Sequence, residues 1–162
     1  KLANNHQQQC HQSKKQLILG DSYFSGVKAA VETMRRFGRH YLGPVKTNHS
    51  LFPKDFIKNH MEHAPAGAKM LLTSVIDGVY LCALGYKYSK ISKVNFFIYT
   101  EGSGTTDNEN SHYFSRRNDC YGNVYDKCVE RSGVVHTYFK YSNVIDLHNQ
   151  CRQYNLGLEK NG

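Results

Sequence analysis

The feature that most constrains this chain is an abrupt change of hydrophobic period near its start. Leu17-Ile18-Leu19 is a short apolar run closed by Gly20. Such a run reads as a buried strand. Phe24, Val27, Val31 and Met34 follow at spacings of 3, 4 and 3, the period of one helix face. Lys28, Glu32, Arg35 and Arg36 fill the opposite face, and Gly38 ends it. Tyr41 to Val45 is a second strand candidate. Strand, helix and strand in close succession imply a βαβ unit with a parallel pair.

The rest of the chain mixes both periods. Pro53 opens a short helix over 53–62, and Pro65 ends the segment. Lys69 to Ser74 and Val79 to Tyr86 flank Asp77-Gly78, a strong hairpin signal. Val94 to Thr100 is a further strand. Residues 101–112 have loop composition. Val134 to Phe139 reads as another strand, and Asn143 as the cap of a final helix to Tyr154. Residues 1–14 form a polar, Gln-rich lead-in.

Charge narrows the partner. The net charge is +8 over 162 residues. Residues 1–60 hold ten Lys and Arg against Asp21, Glu32 and Asp55. A basic first third points to a polyanion, nucleic acid before acidic membrane. No apolar run approaches the roughly 20 residues of a membrane span. Lys1 to Lys15 has no apolar stretch of the signal-peptide kind. Five widely spaced cysteines suggest free thiols in a reducing, intracellular compartment. His60 and His63 lack a matching ligand pair, and the Cys120 to Cys128 gap is wrong for a zinc knuckle, so no zinc site is expected.

The strand-to-helix turn Gly20-Asp21-Ser22-Tyr23-Phe24-Ser25 is where an α/β fold would build a site. Two chemistries could use it. A strand-end carboxylate at Asp21 suits Mg²⁺, which prefers oxygen ligands. Two-metal phosphodiester chemistry needs further acids around ions about 4 Å apart. Asp146 is the candidate partner, on the polar strip of the final helix and in its first turn. The other chemistry uses Ser22. Gly-Asp-Ser resembles the first block of the SGNH esterases, but Asp146-Leu147-His148 and Arg116-Arg117-Asn118-Asp119 both depart from that family's later blocks.

A longer pattern favours the first chemistry. Gly20 to Gly26, then Gly43-Pro44-Val45-Lys46-Thr47-Asn48 and Pro53, then Ser142 to Gln150, resembles piggyBac-type transposases over residues 16–155. The resemblance implies an α/β, ribonuclease H-like DDD/DDE core, present in part, with a β-rich insertion. Residues 15–65 would be the second half of that core, 66–115 the insertion with its loop, and 116–162 the returning strand and final helix. Asp21 and Asp146 would be the catalytic, Mg²⁺-binding acids. Lys28, Arg35, Arg36, Arg39, Lys46 and Asn48 would contact the DNA backbone. The parent reaction would be DNA strand cleavage and transfer, in the nucleus; a homodimer is left open. No Asp or Glu precedes Asp21, Asn149 replaces an expected acid, and the cysteine-rich end module is missing. The chain therefore reads as an excerpt of a longer transposase, inactive alone. A non-enzymatic, domesticated DNA-binding protein is the alternative.

Overall fold

The computed structural model describes residues 16–46, 49, 51–89, 91–102 and 110–155. The lead-in 1–14 and Asn48 lie outside the described residues. Among the described residues the fold is mixed α/β, with a five-stranded mixed sheet, a two-stranded ribbon and three helices.

The first unit forms as its periodicity dictates. Strand β1 (Leu17–Leu19) pairs in parallel with β2 (His40–Pro44), and α1 (Val27–Phe37) connects them. Gly38 adopts φ +61° and its N–H caps the Met34 carbonyl, which ends the helix. The helix starts later than its apolar spacing suggests. Phe24 stays in the preceding turn and is 64% exposed. Helix α2 (Lys54–Met61) follows, then β3 (Lys69–Ile76), β4 (Val79–Lys87) and β5 (Val94–Thr100). Asp77 and Gly78 both take positive φ at the β3–β4 turn.

Strand order is β1-β2-β5-β4-β3, with every pair after the first antiparallel. The β-rich segment thus extends the same sheet as β1 and β2. Both faces of its centre are covered. Val27, Ala30 and Val31 of α1 and Ile57 and Met61 of α2 pack on one face with Tyr41, Ala83, Phe96 and Ile98. Gly85 lets α2 come this close: a Cβ there would lie 2.3 Å from Ile57 Cγ2. On the other face Leu42, Cys82, Leu84, Tyr86, Phe97 and Tyr99 pack with Val134 and Val135. Two-sided burial explains why β4 is apolar almost throughout.

Two expectations are corrected in the last third. Strands β6 (Asn110–Asn118) and β7 (Val124–Ser132) form a ribbon: the expected loop 101–112 gives way to strand from Asn110, and the hairpin that follows has no counterpart in the sequence reading. Val134 to Phe139 is helix, not strand. It opens α3 (Gly133–Asn155), so Asn143 lies inside a helix and caps nothing. Ser132 Oγ accepts the Val135 N–H at 3.4 Å, an N-terminal cap. Val134 and Val135 are fully buried against the sheet, and burial outweighs the strand preference of β-branched residues.

Candidate nucleic-acid interface

The parallel and antiparallel pairings bring several chain reversals to one end of the sheet. β1 and β2 finish there, β4 finishes at Lys87 opposite Val94, and β5 begins there, with Phe97 opposite Pro44. A cleft of about 840 Å³ opens at this end. Its walls come from the turn after β1, the exit of β2, α2, the β4–β5 connection and the first turns of α3. Carboxyl ends of strands are where α/β sheets place their sites.

Asp21 and Ser22 line it. The Asp21 turn is held from beneath. Its backbone carbonyl accepts from Phe24 N–H at 3.1 Å, Ser25 N–H at 2.9 Å and Ser25 Oγ at 2.7 Å. Ser25 Oγ in turn meets Tyr41 Oη at 2.9 Å, and both residues are buried. Two glycines make room for this pair. A Cβ on Gly20 would fall 1.8 Å from Tyr41 Oη, and one on Gly43 would fall 2.0 Å from Ser25 Oγ. Burial pushes the Tyr41 phenol above its ordinary range. The Ser25 hydrogen bond opposes that shift, and the nearby Asp21 charge adds to it. Asp21 Oδ1 accepts from the Ser22 N–H and, at 3.1 Å, from Ser22 Oγ.

Lysine dominates the lining. Lys46, Lys54, Lys58, Lys87 and Lys93 face Asp21 and Glu62. Two of the five also have internal roles. Lys87 is buried and its Nζ donates to the carbonyls of Met61, at 3.3 Å, and Glu62, closing the C-terminal end of α2. Lys54 Nζ donates to the Lys46 carbonyl at 2.7 Å and stands 5.4 Å from the centre of the Phe96 ring. Lys46, Lys58 and Lys93 are exposed and enter no ion pair among the described residues. Low-dielectric walls of one charge sign concentrate field in a cleft and attract polyanions.

The sequence-derived candidates divide. Asp21 and Lys46 meet in the cleft. Lys28, Arg35, Arg36 and Arg39 are exposed and are not part of its lining. Arg35 reaches Asp77 at 3.4 Å, at the turn on the opposite end of the sheet, and Arg36 pairs with Glu32 one turn away. Asp146 sits deep within α3 rather than in its first turn, so the dipole argument for it lapses; its side chain lies outside the described residues. Sequence reasoning misses Lys54, Lys58, Lys87 and Lys93. Their signal is dispersed across elements that only the sheet brings together.

Other constellations are quickly placed. No group of three or more His, Cys, Asp or Glu gathers among the described residues, around His60 and His63 or elsewhere. Ser22 has Asp21 as its hydroxyl partner; no histidine lines the cleft among the described residues, and the side chain of His148 lies outside them. Cys82, Cys120 and Cys128 are free thiols. Among the described residues no helix is long and apolar enough to cross a membrane. No protein-family model, curated protein or solved structure matches the chain.

Proposed function

We propose that this chain is the DNA-binding part of a ribonuclease H-like, piggyBac-type transposase core, acting in the nucleus. The observation that carries the reading is Asp21, just past the end of β1, in the lining of a cleft that also holds Lys46, Lys54, Lys58, Lys87 and Lys93. A nucleic-acid phosphodiester is the substrate class that suits a carboxylate surrounded by cations. Lys46, Lys58 and Lys93 would take backbone phosphates, giving affinity without reading sequence.

The core's implied cofactor is Mg²⁺. A strand-end carboxylate has the right donor chemistry, but the described residues supply too few ligands to hold the ion by themselves. Asp146 would have to join Asp21. When bound, the ion would activate the attacking oxygen of strand cleavage. What this chain's own residues do is bind and orient: the lysines hold the strand, and the Ser25–Tyr41 pair fixes the Asp21 turn beside it.

A second reading keeps the cleft and drops the metal, as in a domesticated DNA-binding protein. The excess of lysine over carboxylate in the lining supports it equally well. Mobility-shift titrations of the purified chain test what the two readings share. Affinity for DNA should fall steeply between about 50 and 200 mM salt; absent or salt-independent binding would contradict both. Asp21→Asn separates them. Without metal it should bind DNA as well as the wild type or better, because a repelling charge is gone. Electron paramagnetic resonance of added Mn²⁺ should then show a bound ion in the wild type only. A wild type that leaves Mn²⁺ free favours the domesticated form.

A further inference from the structure

Aromatic side chains in and beside the cleft carry the reading further. Phe139 lines the cleft from α3 and is 42% exposed, with the Arg131 guanidinium stacked 5.0 Å from its ring centre. The Asp21 turn presents Tyr23, 82% exposed, and Phe24, 64% exposed, in edge-to-face contact at 4.9 Å. Rings this exposed contribute nothing to the core, and they adjoin the two residues of that turn that line the cleft, Asp21 and Ser22.

Resting on the nucleic-acid reading above, we infer that the cleft takes a single-stranded polynucleotide segment: phosphates lie along Lys58 and Lys93 while bases stack on Phe139 and on Tyr23. A cationic groove flanked by exposed aromatic rings is the physical arrangement that binds unpaired strands, because every base has a face to stack. Paired bases are already stacked on their neighbours and offer no free face. Charge complementarity selects the polyanion, and the rings select the unpaired form of it.

The test compares three fluorescein-labelled probes by anisotropy: a 12-nucleotide DNA strand, the same strand made abasic at its centre, and the same sequence as a blunt duplex. Unlabelled polyphosphate serves as competitor. The base-bearing strand should bind more tightly than the duplex or the abasic strand. Tyr23→Leu and Phe139→Leu should each weaken the single strand about ten-fold and leave the duplex unchanged. Tyr23 is so exposed that its replacement leaves the fold intact, and circular dichroism of Phe139→Leu confirms that α3 persists. A duplex bound as tightly as the strand, an abasic strand bound equally well, or two leucine variants without effect would overturn the inference while leaving DNA binding in place. Failure of every DNA probe to bind, or displacement of all of them alike by polyphosphate, would overturn it too; the first of these would also remove the nucleic-acid reading.

Discussion

Ser25 and Tyr41 lie 16 positions apart in the chain and meet under the Asp21 turn only because Gly20 and Gly43 carry no side chain. Gly43→Ala should cost about 2 kcal/mol in urea unfolding, since its Cβ would press on Ser25 Oγ and Cβ in a packed site. The tyrosine gives a pH signature. An unfolded phenol ionises near 10, while the buried Tyr41 stays protonated to higher pH. Above that value the folded chain holds the extra proton, so the contribution of Tyr41 is intact below about pH 10 and is lost as pH rises further. The fall in the urea midpoint between about pH 9 and 11 should therefore be smaller in Tyr41→Phe than in the wild type. The sequence shows Gly20 as the end of a strand and Asp21 as a strand-end acid. It does not show that Tyr41, an ordinary strand residue by pattern, is part of the support for that acid.

Elements with a clean period are legible. β1, α1, β2, α2, β3, β4 and β5 fall within a few residues of the spacing and turn signals that mark them. The last third misleads where two signals compete. Val134, Val135, Tyr138 and Phe139 are close enough together to look like a strand, yet their spacings of 3 and 4 also fit one helix face. Tertiary packing decides: Phe97 receives Tyr138 at 5.5 Å and Phe139 at 6.4 Å. Val134→Ala should reduce stability by about 2 kcal/mol, because two buried methyl groups are removed from a packed site. The β6–β7 ribbon has its signal in Asp119 and Gly122. Asp119 Oδ1 accepts from Tyr121 N–H and Asn123 N–H, both at 2.8 Å, and Gly122 takes φ +85°. The Asn123 side chain first, and the turn's N–H groups with it, hold the Asp119 carboxyl below its ordinary range. This support is present above the ordinary carboxyl range and is lost as pH falls through the lowered value. Asp119→Ala should speed amide exchange across 116–126 while the main transition stays in place. Acceleration spread through β4 and β5 would show that the ribbon and the sheet unfold together.

At the scale of the molecule the charge asymmetry becomes directional. The sequence shows a basic first third and suggests α1 as the basic face. The fold runs α1 from the cleft end to the far end of the sheet, so Arg35 and Arg36 are carried away and paired with Asp77 and Glu32. Lys46, Lys54 and Lys58 stay at the cleft, and Lys87 and Lys93 join them from the nearly charge-balanced remainder. Sheet order does this, and no linear count of charge could reveal it. Where a nucleic acid binds is therefore the decisive property, and equal charge changes at the two ends test it. Fluorescence anisotropy with labelled single-stranded DNA should be measured over a range of salt for the wild type, Lys58→Ala/Lys93→Ala and Arg35→Ala/Arg36→Ala. The lysine pair should weaken binding and flatten the log–log salt slope by about 1.4, near 0.7 for each phosphate no longer neutralised. The arginine pair should match the wild type. Equal weakening by both pairs, or weakening confined to the arginines, would contradict it.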